Sequence, residues 1–232
     1  MWNKKEQSKK YNSKIRTKRF IRIIRQIILF IVRTLRLTLI LVFMINLASG
    51  QSDHILKVLF RYGSRPARGY EKTEHFDFGG IHGGHVCLGF DSIVIGFDSP
   101  PGTYHIFPRK KKIIGMYARE DEQDYMKDTI TKKYAIVGIP ISDSQYQHLN
   151  IILTKYLNKS PYDYAFFGMR CASATYDVLS QIGIMERKSY LGNVFSNFYP
   201  RLLRRKVFRL AKENNYKIIR LKGRKTRQWE ED

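Results

Sequence analysis

The order of the apolar segments constrains the fold of this chain more than any other feature. Short apolar runs, each bounded by glycine, proline or polar residues, predict several strands before any long helix begins. The strands expected from these runs are 55–62, 85–90, 92–97 and 134–141, with 104–108 and 111–118 as further candidates. Asp91 separates two of these runs and predicts a hairpin there. The acidic stretch 119–128 predicts a loop or a short exposed helix.

Two helices follow the last of these strands. Ser142 is positioned to cap a helix over 143–158, whose apolar residues recur at helical spacing. A loop then leads to a second helix that begins at Cys171 and ends at Gly183, a residue type common at helix C-termini. Beyond it, 201–212 predicts a helix with one buried stripe, and 216–223 predicts a strand. The cysteine-bearing helix therefore comes after most of the strands.

Residues 1–50 form a segment of a different kind. They hold 12 basic residues and one acid, and they include an uncharged apolar run from Leu37 to Ala48. Twelve residues are short for a membrane span, which needs about 20, and they suit the core of a secretory signal. The small residues that end this run would then place the mature N-terminus at Gln51.

Two alternatives to a cleaved signal stay open. An uncleaved anchor could begin at Ile27 and pass through Arg33 and Arg36, or 20–48 could be an amphipathic helix of a soluble domain. In both membrane interpretations the basic end stays in the cytoplasm, and the domain over 51–232 is exported into the cell envelope.

The net charge of +22 indicates an anionic partner. Residues 201–227 carry 12 Lys and Arg and one acid. This block is either the solvated face of a core helix or a surface that docks onto an anionic membrane or a cell-wall polymer. Nucleic acid is not expected as a partner, because an exported domain rarely meets it and no nucleic-acid-binding motif is present.

Neither a metal nor another cofactor is predicted. Two cysteines cannot form a four-cysteine zinc site or a disulfide framework. His82 and His85, with Asp77 or Asp91, match no known spacing of metal ligands.

Cys171 and His85 are the candidate catalytic residues. Cys171 starts its predicted helix, where the first-turn amides, the helix dipole and the neighbouring Arg170 would stabilise a thiolate. A cysteine nucleophile also needs an imidazole that shares its proton. His85 stands at the start of a strand, directly after Gly83 and Gly84, where small residues leave room for a substrate.

The segments around these two residues resemble the circularly permuted papain-like branch of the NlpC-type cysteine peptidase superfamily, which includes relatives of lecithin retinol acyltransferase. The matching motifs are Gly84-His85-Val86 and Cys171-Ala172-Ser173, with Tyr162 and Tyr164 in the preceding Tyr-rich stretch. The similarity covers roughly 80–185. In this branch the histidine strand precedes the cysteine helix, as it does here.

The resemblance implies an α+β fold in which an antiparallel sheet packs against the cysteine helix. It also implies a thiol hydrolase or acyltransferase, in which Cys171 attacks an amide or ester carbonyl and His85 acts as base and then acid. Peptidoglycan stem peptides or lipid acyl groups would be the substrates. The alternative is a non-catalytic basic binding domain at the membrane surface that retains the fold.

The third catalytic residue and the role of Cys87 stay open at this stage. The family places a polar residue on the strand after the histidine, and the matching run 92–97 is apolar. His105 is the preferred orienting residue for His85, and Asp98 is the alternative. Cys87 is two residues from His85, on the same strand face, and could form a disulfide with Cys171 in an oxidising compartment.

Export can be tested with a topology reporter fused after Asp232. A reporter that works only outside the cytoplasm should be active, because the basic leader keeps the N-terminus inside. Activity of a cytoplasm-only reporter at the same position would contradict export.

Overall fold

The computed structural model describes residues 31–36, 38, 54–77, 79–127 and 130–232, and the chain divides into two compact units, Met1–Gln51 and Ser52–Asp232. In the first unit, 31–36 and 38 are helical. Among the described residues, no helix has the length and apolar character that a membrane crossing requires. The predicted apolar run 37–48 lies outside the described residues except for Thr38.

The second unit is an α+β domain built on a six-stranded antiparallel sheet. Its strands, in the order in which they lie side by side, are β5 (Met116–Asp121), β4 (Ile93–Asp98), β3 (Gly84–Phe90), β1 (His54–Tyr62), β6 (Tyr134–Ile141) and β7 (Ile218–Leu221). Two short strands, β2 (Ser64–Pro66) and β8 (Arg227–Trp229), form a separate pair. The antiparallel sheet that the resemblance implied is therefore present.

Five helices accompany the sheet in the described part of this unit. They are α1 (Glu122–Lys127), α2 (Asp143–Asn158), α3 (Cys171–Gln181), α4 (Tyr190–Ser196) and α5 (Pro200–Glu213), and a 3-10 turn covers Gly80–His82. The main core lies where α2, α3 and α5 pack on one face of the sheet, because alternate strand residues such as Val58, Val86 and Val137 point to that side. Cys87 and Val94 belong to a smaller cluster with Tyr125 of α1.

Most of the predicted elements form where local signals are strong. Ser142 and Gln145 make a reciprocal capping box at the start of α2, as predicted. Asp91 and Ser92 have φ values of 47° and 66° and form the two-residue turn of the β3–β4 hairpin. Gly183 follows α3 with a φ of 77°, a left-handed conformation that glycine adopts without strain.

The segment between β4 and β5 differs from the prediction. Residues 104–108 form no strand and make only an isolated bridge at His105, and the strand expected over 111–118 begins at Met116. The backbone N–H groups of Arg109 and Ile114 donate to the buried carboxylate of Asp163, so they are not available to a strand ladder. The acidic stretch continues β5 to Asp121 before α1 begins, so only its second half is the short helix predicted there.

Several basic residues of the C-terminal block are buried and form ion pairs inside the domain. Arg204 of α5 is 1% exposed and donates from Nη2 to Glu230 at 2.9 Å, while its guanidinium lies 3.8 Å from the centre of the Tyr62 ring. Arg227 of β8 is also buried and binds Glu74 and Asp77. Part of the predicted basic face is therefore paired with carboxylates.

Replacing Arg204 by Ala should destabilise the domain strongly. The change leaves the buried Glu230 carboxylate without its main partner, and breaking a buried ion pair in this way costs about 3–5 kcal/mol. Arg205→Ala is the matched control, since Arg205 is exposed and its loss should change the free energy of unfolding by less than about 0.5 kcal/mol. Urea unfolding measures both, and equal effects would contradict a structural role for the buried pair.

Candidate active site

Cys171 is the first residue of α3, and its side chain is 3% exposed. The backbone before it is fixed by Ser173, whose Oγ accepts a hydrogen bond from the Arg170 N–H at 2.9 Å. Two backbone N–H groups, of Val86 and Ala172, donate to the Cys171 sulfur. The thiol therefore lies beside the peptide that joins His85 to Val86.

His85 lies near the start of β3 and pairs across the sheet with Arg61 of β1. On the other side of β3 lies β4, and Cys87 pairs with Gly96 there. The same antiparallel register, continued by two residues, places Asp98 of β4 opposite His85. A Cβ atom on Gly96 would lie 3.0 Å from the His85 Nε2 and 2.9 Å from the Cys87 sulfur. Glycine at 96 is therefore what leaves space for the imidazole.

Loss of hydration acts on both groups, although Cys171 is buried and His85 is half-buried. It lowers the pKa of His85 to about 4; the positive charge of Arg61 acts in the same direction, and the carboxylate of Asp98 opposes it. Burial raises the pKa of the Cys171 thiol above its ordinary value, although Arg170 and the two amide donors lower it. The Asp98 carboxylate raises the pKa of both groups.

The expectation of a stabilised Cys171 thiolate is therefore wrong for the free protein. The predicted contributions of Arg170 and the helix N-terminus are present, but loss of hydration outweighs them. At neutral pH both the Cys171 thiol and the His85 imidazole are uncharged.

The His85 side of the sheet opens into a groove of about 220 Å³. His85, Gly96 and Asp98 line one part of the groove, and Ala118, Arg119 and Glu120 of β5 line another. Cys171 is not among its lining residues. Alternation along β3 explains this, because Val86 points toward the main core around α3, whereas His85 and Cys87 point toward the groove.

His105 has a different partner from the one expected. Its Nδ1 lies 2.6 Å from the Asp163 carboxylate, which is almost fully buried. His105 is therefore engaged in holding the loop before β5. Asp98, the alternative that the sequence leaves open, is the residue that lies opposite His85.

Cys87 and Cys171 are both free thiols, so the disulfide alternative is not realised. The Cys87 sulfur lies 3.5 Å from the Tyr125 hydroxyl on the side of the sheet that α1 covers. Burial raises the pKa of Cys87 to about 12.

Aromatic residues and Arg170 complete the surroundings of the thiol. The Tyr164 hydroxyl and the Arg170 guanidinium interact electrostatically with each other and with Cys171. The Arg170 guanidinium carbon lies 4.5 Å from the centre of the Phe198 ring and 5.4 Å from that of Tyr199. Its Nη1 is buried and makes no hydrogen bond. A cation with one unused donor therefore stands near the nucleophile candidate.

Tyr164 and Arg170 are recognisable from the sequence as neighbours of the cysteine motif, but Phe198 and Tyr199 are not. These two rings come from the turn between α4 and α5, almost thirty residues after Arg170. No local pattern connects them to the site.

Within the described ranges, no group of three or more His, Cys, Asp and Glu side chains is arranged to hold a metal ion. Comparison of the chain with known protein families, curated proteins and solved structures finds no match.

The His85 imidazole should titrate near pH 4 in NMR spectra of ¹⁵N-labelled protein, with its signals assigned by their loss in His85→Gln. Asp98→Asn should lower that pKa further, because it removes the negative charge that favours the imidazolium. A midpoint at the ordinary value of about 6.5 would contradict the buried environment.

The lowered pKa of His85 also predicts how the stability of the domain changes with pH. Between pH 6.5 and pH 4 the unfolded imidazole binds a proton that the folded one does not, so stability should fall as the pH falls through this range. His85→Gln should show a shallower decline in urea unfolding over the same interval.

Proposed function

We propose that this chain is a membrane-associated thiol hydrolase or acyltransferase with a permuted papain-like domain, in which Cys171 attacks an amide or ester carbonyl. One observation carries the proposal. Cys171 begins a helix that packs on β3, next to the peptide that joins His85 to Val86, and Asp98 of β4 lies opposite His85. Three separate elements therefore bring a thiol, an imidazole and a carboxylate to the start of β3, with the imidazole on the face of the sheet opposite to α3.

The fold supports the same assignment. A histidine strand precedes the cysteine helix along the chain, and that helix packs on an antiparallel sheet. Both features agree with the family that the sequence resembles.

The reaction begins from the neutral pair. As the Cys171 sulfur bonds to the carbonyl carbon, its proton passes to His85, and the carbonyl π electrons move onto oxygen. Asp98 stabilises the imidazolium that forms. Collapse of the tetrahedral intermediate breaks the bond to the leaving group, which takes the proton from His85 and leaves an acyl-enzyme. A water or an alcohol then attacks the acyl carbon with His85 as base and releases Cys171.

The developing oxyanion has donors nearby. The first backbone N–H groups of α3 have no intrahelical acceptor, and the free Nη1 of Arg170 adds a positive charge. Preorganised donors of this kind contribute about 2.7–4 kcal/mol each to transition-state stabilisation. Peptidoglycan stem peptides and lipid acyl groups are the proposed substrate classes.

One observation favours the alternative, a non-catalytic binding domain. Cys171 is 3% exposed and does not line the groove, and His85 faces the groove on the other side of the sheet. Catalysis therefore requires the His85 side chain to turn toward Cys171 and the site to admit a carbonyl between α3 and the start of β3, whereas binding in the groove requires neither.

Acylation of the full chain by p-nitrophenyl acetate separates the two functions. The expected result is one acetyl group on Cys171, located by peptide mass mapping, and none on Cys87, which lies on the other side of the sheet. His85→Ala should slow acetylation by about 10²–10⁴-fold, the usual contribution of a general base. Asp98→Asn should slow it less, because it removes only the group that stabilises the imidazolium.

His148→Ala is the control. His148 is exposed on α2, so this change should not alter acetylation more than a few-fold. The acetylation rate at saturating ester should rise as the pH increases through about 4, because His85 loses its proton there and can act as a base. This rise does not require the Cys171 thiol to be ionised. Acetylation that is absent from Cys171, or unaffected by His85→Ala, would favour the binding domain.

A further inference from the structure

An exposed aromatic loop lies next to the candidate active site. We call residues 104–114 the Phe107 loop. Ile106 and Phe107 are 60% and 66% exposed, and the Phe107 ring stacks on that of Phe167, 46% exposed, with 5.4 Å between ring centres. Three large apolar side chains therefore project together into solvent, which is costly unless a partner covers them.

The loop is held firmly in this conformation. Asp163 accepts hydrogen bonds from the backbone N–H groups of Arg109 and Ile114, at 2.7 and 2.9 Å, and contacts His105. The N–H groups of Phe166 and Phe167 donate to the carbonyl groups of His105 and Ile106. The exposure of the aromatic side chains is thus built into the fold.

Four consecutive basic residues follow the aromatic tip. Arg109, Lys110, Lys111 and Lys112 are all exposed. In the part of the chain that the structure describes, no ion pair involves any of the four. The basic block over 201–227 differs, since five of its arginines have carboxylate partners: Arg201, Arg204, Arg220, Arg224 and Arg227.

We propose that the Phe107 loop docks onto an anionic phospholipid bilayer, with Ile106, Phe107 and Phe167 inserted at the headgroup boundary and 109–112 against the lipid phosphates. Apolar and aromatic side chains beside unpaired lysines are the combination that interfacial binding requires. The four basic residues favour an anionic surface. The exposed aromatic rings favour a bilayer, because a purely polar polymer offers no apolar phase in which to bury them.

Docking would also place the candidate active site at the bilayer. Phe166, adjacent to Phe167, lies under the Arg170 guanidinium at 5.5 Å, and Arg170 directly precedes Cys171. A site at the bilayer favours a lipid as the acyl donor over a peptidoglycan peptide. This choice of substrate rests on the proposed function, whereas the docking of the loop does not depend on it.

Quenching by phospholipids with brominated acyl chains tests the docking in the full chain. Phe107→Trp should be quenched in vesicles containing anionic lipid beyond the background of the two native tryptophans. Phe76→Trp, at another exposed phenylalanine, is the matched control and should show only that background. High salt and neutral vesicles should both weaken the quenching at position 107.

Charge neutralisation tests the role of the lysines. Lys110→Gln with Lys111→Gln should raise the lipid concentration for half-maximal quenching by about fivefold per residue. Lys155→Gln with Lys159→Gln, at exposed positions around the end of α2, removes the same charge and should change it little. Cys171→Ala should dock like the parent, so a failure of catalysis remains distinguishable from a failure of docking.

Hydrogen exchange of the unmodified chain gives an independent measurement if a variant misfolds. Anionic vesicles should slow exchange across 104–114. The proposal is overturned if the Phe107→Trp variant is quenched no more than the Phe76→Trp variant, if neutral vesicles quench it equally, or if a soluble cell-wall polymer protects the loop and vesicles do not.

Discussion

The buried carboxylate of Asp163 is the interaction on which the arrangement of the site depends. Burial raises its pKa, but the hydrogen bonds from His105, Ile114 and Arg109 outweigh this and hold the pKa below the ordinary value. Hydrogen bonds to a charged group contribute about 1.5–3 kcal/mol each. Asp163 thereby joins the loop before β5 to the segment that leads through Tyr164 and Arg170 into Cys171. Together with the hydrogen bonds from the N–H groups of Phe166 and Phe167, this anchor fixes the aromatic tip and the approach to the cysteine helix.

Desolvation decides the chemistry available at Cys171. A helix N-terminus, an arginine and two amide donors all favour the thiolate, yet burial raises the thiol pKa overall and lowers that of His85. A thiolate–imidazolium pair is therefore not the resting state. In the proposed reaction the thiol loses its proton during attack, so the negative charge appears on the carbonyl oxygen. The proposal assigns the free Nη1 of Arg170 to that charge as a hydrogen-bond donor.

Sequence patterns predicted the elements whose causes are local. The capping box at Ser142, the turn at Asp91 and the continuous apolar run of β6 each depend on residues within a few positions of one another. The pair of β2 and β8 could not be predicted, since it joins Ser64 to Trp229. The candidate site divides in the same way. Cys171 and His85 carry recognisable local motifs, whereas the choice between Asp98 and His105 depends on strand register and on the distant Asp163.

Net charge predicts an anionic partner but does not say which basic residues meet it. Arg204 of α5 pairs with Glu230 and Asp232, and Arg227 of β8 pairs with Glu74, so these charges stabilise the interior and are only partly available to a partner. A basic residue can attract a surface only if its field is not already neutralised by a carboxylate a few ångströms away. The basic residues after Phe107 meet that condition in the described chain. They lie next to exposed rings, on the segment that Asp163 anchors. The position of the unpaired basic residues therefore indicates the docking surface, which the net charge of the chain does not.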